Sequence, residues 1–294
     1  MSTVIKIENL YKEYRLGVIG HGTLYRDLQS WWAKLKGKED PNSMLGGYMG
    51  NGKENNQILA LNNINLEIKA GEVLGIIGAN GAGKSTLLNV CVGLLKPDSG
   101  SVTFNGGINV IGKSPHEINQ MGLARVFQTP EIFPDLSLLE NVMIPAFSKR
   151  DGAFHLQLFR SLASETKITQ EAKEVLASVG MEAKADETAG SLSRGDKRRL
   201  ELAMCLIQHP DLLLLDEPTA GMARHDTNKT IELLKKIKEG GMTKIIIEHD
   251  MHVVFSVADT ISVLAQGAII ATGTPDEIRG NPIVQEAYLG GAEL

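Results

Sequence analysis

Cysteine is scarce in this sequence. The 294 residues contain two, Cys91 and Cys205, which lie far apart in the chain. Because they form no Cys-x-x-Cys pair, neither a zinc site nor a framework of disulfide bonds is indicated. We expect two reduced thiols, as in most proteins of the cytosol.

Long hydrophobic runs are also missing. Apolar runs such as 212–215 and 245–247 are far shorter than the roughly 20 residues that a membrane-spanning helix needs. The first residues, Met1 to Lys6, lack the basic segment and the apolar stretch that mark a signal peptide. We therefore expect neither a signal peptide nor a membrane span. If the protein serves a membrane, another chain crosses it.

No sign of charge dominates. The chain has 30 lysines and arginines and 35 aspartates and glutamates, which give a net charge of −5. Domains that bind nucleic acid tend to be strongly basic, so no nucleic-acid partner is expected. Hydrophobic residues make up 43% of the chain, which suffices for a sizeable core. The length fits one large domain, or one domain with an added lobe.

Two hydrophobic patterns predict the fold class. Residues 4–10 and 64–68 alternate between apolar and polar side chains, which indicates an antiparallel component in the N-terminal part. Continuous apolar runs at 73–77, 212–215 and 244–247 indicate strands that are buried on both faces. Helical periodicity separates these runs, and strands that alternate with helices predict an α/β core with a parallel sheet.

The predicted domain organisation has three parts. Residues 1–128 and 197–294 form the α/β core with its antiparallel β subdomain. Residues 138–190 are helix-like, more charged and poor in β-branched runs, which predicts an inserted helical lobe that we place at 129–196. Residues 17–57 are an insertion within the N-terminal part and are rich in glycine, lysine and asparagine.

One segment of this insertion, residues 23–36, has an apolar pattern near helical spacing. The pattern is carried by Leu24, Leu28, Trp31, Trp32 and Leu35. It predicts an amphipathic helix. Such a helix either packs on its own domain or contacts a membrane surface or a partner subunit, since tryptophan together with lysine suits an interface.

Residues 78–86 match the phosphate-binding pattern G-x-x-x-x-G-K-[ST] between a buried strand and a predicted helix. Glycines let backbone N–H groups turn toward phosphate oxygens, and a helix N-terminus favours anions. We expect Lys84 to contact the β- and γ-phosphates and the Ser85 hydroxyl to bind Mg²⁺. The other residues predicted to bind the nucleotide here are Gly78, Asn80, Gly81, Ala82, Gly83 and Thr86.

Two carboxylates, Asp216 and Glu217, follow a buried apolar run. In open α/β sheets, ligands bind at the carboxyl ends of the strands. Asp216 therefore suits a water-mediated contact to Mg²⁺, and Glu217 suits the general base that polarises an attacking water. The alternative is a pair of solvated turn residues before Pro218.

Further motifs follow in an order that resembles the ABC ATPase family. Gln128 matches its Q-loop, residues 192–196 its signature loop, 219–222 its D-loop and 248–250 its H-loop. The resemblance covers nearly the whole chain outside the insertion. It implies an α/β fold with a RecA-like P-loop core and parallel sheet, an N-terminal antiparallel β subdomain and an inserted helical lobe. It also implies ATP and Mg²⁺ as ligands.

The resemblance implies catalytic roles as well. Gln128 would contact Mg²⁺ or the attacking water, and His249 would donate a hydrogen bond to the γ-phosphate. Lys84 and Glu217 complete the predicted catalytic set, and Ser85, Gln128 and Asp216 form the predicted metal site.

Other residues are implied to bind the nucleotide from further away. Ser193 and Gly195 of the signature loop would cover the ATP held by a second ATPase subunit, in a homodimer or a heterodimer. Tyr14 best matches the position whose aromatic ring stacks on adenine, and Tyr11 is the alternative.

The signature loop departs from the common form LSGGQ. This chain has Arg194 at the third position and Asp196 at the fifth. An extra carboxylate near a γ-phosphate could weaken dimer closure. The basic residues that follow, Lys197, Arg198 and Arg199, either offset it or form a solvated helix face.

Two features indicate different transport systems. The segment 122–128 and the tail 248–289 resemble ATPases of branched-chain or hydrophobic amino-acid importers, whereas the insertion after Tyr14 is similar to polysaccharide-export ATPases. The longer and more specific tail favours import. The resemblance then implies transmembrane permease subunits, a substrate-binding protein and a peripheral location on the cytoplasmic face of the cell membrane. A soluble ABC ATPase without transport is the third alternative.

Overall fold

The computed structural model describes residues 2–16, 44–45, 57–152 and 162–289. The predicted amphipathic helix at 23–36, with both tryptophans, lies outside these residues. Among the helices within them, none has the length and apolar character to cross a membrane.

The N-terminal part forms an antiparallel sheet around one long strand, β1 (Thr3–Leu16). On one side β1 pairs with β3 (Gln57–Lys69), and on the other with β5 (Ser99–Phe104), both antiparallel. Two short strands complete the sheet: β2 (Met44–Leu45) pairs parallel to the end of β1, and β6 (Ile108–Asn109) pairs with β5. This is the predicted antiparallel subdomain.

The second sheet has six strands in the order β11-β10-β4-β9-β8-β7. Every pair is parallel except β10 with β11. The strands are β4 (Val73–Gly78), β7 (Leu123–Val126), β8 (Leu212–Asp216), β9 (Thr243–Ile247), β10 (Thr260–Ala265) and β11 (Ala268–Gly273).

Both faces of this sheet are covered, which explains the continuous apolar runs. Leu212 and Leu214 of β8 face the hydrophobic cluster that joins the two sheets, whereas Leu213 and Leu215 face helices on the other side. Each fully buried leucine of this kind contributes about 1.5–3 kcal/mol to folding.

Nine helices lie within the described residues. They are α1 (Lys84–Cys91), α2 (Pro115–Gln120), α3 (Leu138–Asp151), α4 (Leu162–Ser178), α5 (Arg194–Leu206), α6 (Arg224–Glu239), α7 (Met251–Val257), α8 (Pro275–Arg279) and α9 (Pro282–Leu289). Short 3₁₀ turns occur at Glu182–Lys184 and Ala189–Ser191.

The helical lobe has its own core. Helices α3, α4 and α5 bury a cluster that is separate from the cluster between the sheets. Helix α5 contributes to both units, because Leu200 and Ala203 pack in the lobe while Leu202 packs against the parallel sheet. The boundary expected at residues 196 and 197 falls inside α5, and the domain division stays a prediction.

Candidate functional site

The phosphate-loop pattern lies at the carboxyl end of β4, with α1 beginning at Lys84. Gly83 has a φ of 103°, which side chains rarely tolerate, and a Cβ there would lie 2.4 Å from the carbonyl oxygen of Ala60. A Cβ on Gly78 would lie 2.4 Å from the carbonyl oxygen of Leu264. Glycine is therefore required at both positions, because the loop passes so close to neighbouring backbone.

Lys84 is buried within this loop. Its Nζ donates to the carbonyl oxygens of Gly78, at 2.6 Å, and Ala79, at 3.0 Å. Burial lowers the pKa of Lys84, while the carboxylates of Glu217 and Asp216 act in the opposite direction. The loop thus holds a cation beside the first turn of α1, whose N–H groups have no partner within the helix.

A cavity of about 180 Å³ opens at this loop. It brings together most of the predicted site residues. Its lining includes Asn80, Gly81, Ala82, Gly83, Lys84, Ser85, Thr86, Glu217 and His249. These residues come from the loop after β4, from the first turn of α1 and from the segments just after β8 and β9. The parallel register aligns the ends of β8 and β9, with Asp216 opposite Ile247.

Glu217 has a left-handed backbone with a φ of 47°. Its carboxylate lies between two other predicted catalytic side chains. Gln128 Nε2 donates to Glu217 Oε2 at 2.7 Å, and His249 Nε2 lies 2.9 Å from Glu217 Oε1. The three residues come from three neighbouring strand ends.

Asp216 has a partner that the sequence did not indicate. Arg125 of β7 donates from Nη2 to Asp216 Oδ2 at 2.6 Å, and each side chain is 8% exposed. Arg125 also donates to Asn89 Oδ1 of α1 at 2.7 Å. The only sequence signal for this contact is that Arg125 lies just before the Q-loop on an apolar strand.

Comparison with known proteins identifies the arrangement. The profile of the ABC transporter family matches residues 61–220. The branched-chain amino acid transport ATP-binding protein BraF of Pseudomonas aeruginosa is 37% identical over 239 residues, which cover 80% of this chain and 93% of that protein. The chain belongs to the ABC transporter family. The predicted family and its ATP-binding cassette fold are confirmed.

Solved structures of ABC cassettes agree with this assignment. An ATP-binding cassette of an ABC transporter in its ADP conformation has a TM-score of 0.73 and 27% identity, with 99% of this chain and all of that chain covered. A dimeric cassette in a post-hydrolysis state, bound to ADP and Pi, has a TM-score of 0.66 and 27% identity, with 92% and 98% covered. A second profile, described as a branched-chain amino acid ATP-binding cassette transporter, matches residues 268–293.

In this ABC cassette, the signature loop lies apart from the cavity at Lys84. No residue of 192–196 is among the described residues that line that cavity. Ser193 caps α5, since its Oγ accepts from the N–H of Asp196 at 3.2 Å, and Gly195 is buried in the first turn. The roles of Ser193 and Gly195 toward a second subunit's ATP stay predictions.

The extra carboxylate of the signature loop is neutralised within the chain. Asp196 accepts from Lys184 Nζ at 2.9 Å and forms a short contact with Arg199. Burial alone would raise the pKa of Asp196, but Lys184 and Arg199 outweigh it and hold the pKa below its usual range. Of the basic residues after it, only Arg199 offsets this charge directly. Arg198 is buried elsewhere, so these residues are not a uniformly solvated face.

The D-loop of the cassette contacts two other motifs. Glu248 Oε1 accepts from the N–H and the hydroxyl of Thr219, at 2.7 and 2.6 Å. A Cβ on Gly221 would lie 2.4 Å from the guanidinium of Arg194, so this unusual signature residue packs directly against the D-loop. The D-loop therefore joins the H-loop to the signature loop within one chain.

Tyr14 is connected to the cavity at Lys84 through its partner strand. It pairs with Ile58 of β3, which is 50% exposed and lines the cavity at Lys84. Tyr11 pairs instead with Ser99 of β5. The register favours Tyr14 over Tyr11 as the adenine-stacking residue, and this role stays a prediction.

Proposed function

We propose that the cassette hydrolyses Mg·ATP in a dimer and thereby powers the uptake of branched-chain or related amino acids. The observation that carries the hydrolytic part is the position of Glu217, in contact with Gln128 and His249 at the mouth of the Lys84 loop. A scaffold that only bound ATP would not need a carboxylate there.

Lys84 and the loop amides bind the phosphates in this proposal. Binding exchanges the contacts of Lys84 with Gly78 and Ala79 for contacts with phosphate oxygens, which a buried cation attracts strongly. Ser85 on α1, Asp216 on β8 and Gln128 after β7 supply hydroxyl, carboxylate and amide oxygens. These are the donors that Mg²⁺ prefers.

Mg²⁺, when bound, neutralises charge on the phosphate oxygens. In the described part of the chain, no three His, Cys, Asp or Glu side chains converge to hold a metal ion. This fits a cation that keeps water and phosphate oxygens as most of its ligands, as Mg²⁺ does in ATPases.

Glu217 acts as the general base. Its carboxylate accepts a proton from the water that attacks the γ-phosphorus, and the bond to the β-γ bridging oxygen breaks. Gln128 and His249 orient the carboxylate and the water, and His249 donates to the γ-phosphate. Most of the catalytic effect comes from such positioning and charge neutralisation.

A second ATPase subunit completes the site, and Ser193 and Gly195 of each subunit cover the other subunit's ATP. The similarity to a dimeric post-hydrolysis cassette supports the dimer. The subunit works at the cytoplasmic face of the cell membrane with transmembrane permease subunits and a substrate-binding protein. The second subunit is a copy of this chain or a related chain.

The substrate class rests on the C-terminal profile match and on the relative BraF. The match at 268–293 and the relative BraF both carry branched-chain amino acid transport in their descriptions. A polysaccharide-export role rests only on the insertion within 17–57 and is the weaker alternative.

Two measurements test the proposal. Purified protein should hydrolyse ATP with Mg²⁺, and Lys84→Met should abolish this activity while Lys96→Met, an exposed lysine outside the site, should not. A strain that lacks the gene should lose uptake of labelled leucine, and the Lys84→Met variant should fail to restore it. Normal leucine uptake in the deletion strain would reject the substrate class but leave the ATPase assignment intact.

A further inference from the structure

Arg198 is a buried residue of α5 that contacts the turn of the general base. Its Nη2 donates to the carbonyl oxygens of Asp216 and Glu217, both at 2.9 Å. Its Nε donates to the carbonyl oxygen of Pro218 at 3.3 Å. One guanidinium therefore holds three successive carbonyls of the turn that carries Glu217.

Glu201, one helical turn later, orients this guanidinium. Its Oε2 accepts from Arg198 Nη1 at 2.9 Å, and its Oε1 accepts from the backbone N–H of Phe127, also at 2.9 Å. The side chains of Arg198 and Glu201 are 6% and 5% exposed. Because Phe127 directly precedes Gln128, Arg198 and Glu201 together link the turn that carries Glu217 to the start of the Q-loop.

The turn needs such support because of its backbone. Glu217 adopts a φ of 47°, a left-handed conformation that costs a residue with a Cβ about 1–2 kcal/mol. Its N–H is bonded to the carbonyl of Ile247. Its own carbonyl oxygen accepts a hydrogen bond from Arg198. The guanidinium fork can satisfy all three carbonyls and Glu201 at once, which a lysine ammonium cannot do in one geometry.

We propose that Arg198, oriented by Glu201, is a positioning residue that fixes Glu217 and Gln128 relative to each other from the signature helix α5. The proposal rests on the proposed function of Glu217 as the general base. Helix α5 begins at the signature loop. The proposal therefore connects that loop, through α5 and Arg198, to the hydrolytic residues of the same subunit.

The pair is not explained by stability alone. Replacing a buried ion pair by apolar residues of similar size is often neutral or stabilising, whereas removing one partner leaves an unpaired buried charge. The double variant Arg198→Met/Glu201→Leu should therefore fold. What it lacks is the hydrogen bonding to the Glu217 turn and to Phe127.

The test measures hydrolysis by the purified full chain at about pH 8. Burial raises the pKa of Glu201 to about 6, so its carboxylate is ionised at this higher pH. Wild type, Arg198→Met/Glu201→Leu and Arg198→Lys are compared for kcat, KM and the urea midpoint. The control is Lys238→Met. Lys238 also donates to a carboxylate and to a backbone carbonyl, those of Asp259 and Val257, but at the opposite edge of the sheet.

We expect kcat of the double variant to fall about 10- to 100-fold, as misplaced catalytic groups do, with KM changed less than about threefold. The variant should remain folded, with a lower urea midpoint, because the carbonyls of the turn and the N–H of Phe127 lose their partners. The kcat of Arg198→Lys should lie between those of wild type and the double variant, and Lys238→Met should keep wild-type kcat.

An unchanged kcat in the folded double variant overturns the proposal, as does a loss confined to KM. If the double variant does not fold, a wild-type kcat in Arg198→Lys overturns it. A wild type that hydrolyses no ATP rejects the proposed function instead.

Discussion

The side chains of Glu217 and His249 meet 2.9 Å apart, Oε1 to Nε2, although the two residues are 32 positions apart in the sequence and α6 and β9 lie between them. They meet because β8 and β9 are parallel neighbours whose carboxyl ends lie at one edge of the sheet. Gln128 approaches the other oxygen of Glu217 from the end of β7. This three-residue contact is the geometric basis for the hydrolytic assignment.

Replacing Glu217 with glutamine should separate binding from hydrolysis. Glutamine keeps the size of the side chain but accepts no proton, so we expect kcat to fall by about 10²–10⁴ while ATP affinity is retained. Single-turnover hydrolysis and nucleotide binding measure the two effects. Glu232→Gln, an exposed glutamate of α6, is the matched control. Hydrolysis by Glu217→Gln at the parent rate would contradict the base assignment.

Arg125 should control the response to Mg²⁺ through Asp216. In Arg125→Met, Asp216 loses the guanidinium that holds Oδ2. Groups that orient a metal-binding carboxylate typically contribute about 10- to 100-fold in metal affinity. We expect the Mg²⁺ concentration for half-maximal ATPase activity to rise by a factor in that range, and Arg125→Lys to show a smaller increase. A titration curve identical to that of the wild type would refute the link.

Lys244 should make stability depend on pH. It is fully buried in β9, where its Nζ donates to the carbonyl of Leu234. Burial, with a contribution from Lys238 and against that of Asp259, lowers its pKa from 10.5 to about 7. Between these values the unfolded chain binds the proton and the folded chain does not, so the stability contributed at this position rises with pH.

The comparison of wild type with Lys244→Met isolates this effect. From pH 7 to pH 10, the free energy of unfolding of the wild type should rise relative to that of the variant by up to about 1.4 kcal/mol per pH unit. Urea unfolding at a series of pH values measures it. A constant difference between the two proteins across that range would show that Lys244 titrates normally.

Two glycines of the phosphate loop offer a matched pair for testing the close backbone approach. Both have positive φ, but a Cβ on Gly83 would lie 2.4 Å from the carbonyl oxygen of Ala60, whereas one on Gly81 would meet nothing within 4 Å. Gly81→Ala should therefore lose only about 1–2 kcal/mol from its backbone conformation. Gly83→Ala should lose clearly more, as measured by chemical unfolding without nucleotide. Equal losses would mean that the loop at Gly83 can move away from Ala60.

Sequence patterns were sufficient wherever the chemistry is local. The phosphate loop spans nine consecutive residues between a strand and a helix, so its composition alone predicts a turn around Lys84. The apolar run before Asp216 predicts a strand that is buried on both faces, and hence a carboxylate at a ligand-binding edge. The helical lobe was predicted from composition, and the boundary predicted at residues 196 and 197 falls inside α5. This helix packs in the lobe with one face and on the sheet with another.

The charged residues of the signature helix show where sequence patterns fail. Lys197, Arg198 and Arg199 are adjacent and chemically alike, yet Arg199 neutralises Asp196 while Arg198 turns inward to the Glu217 turn. Successive residues of a helix point about 100° apart. Their partners are therefore set by which elements pack on each side, and neighbours in sequence need not share a role.

By itself, the sequence determined the phosphate loop, the order of the motifs and hence the family, because each motif is a short run of consecutive residues. Only the tertiary structure decided which charges meet: Arg125 with Asp216, Arg198 with Glu201, and Glu217 with His249. Two of these contacts join residues that lie on, or just after, different strands. They exist because parallel strands bring distant segments into register at one edge of the sheet, a relationship that no local pattern encodes.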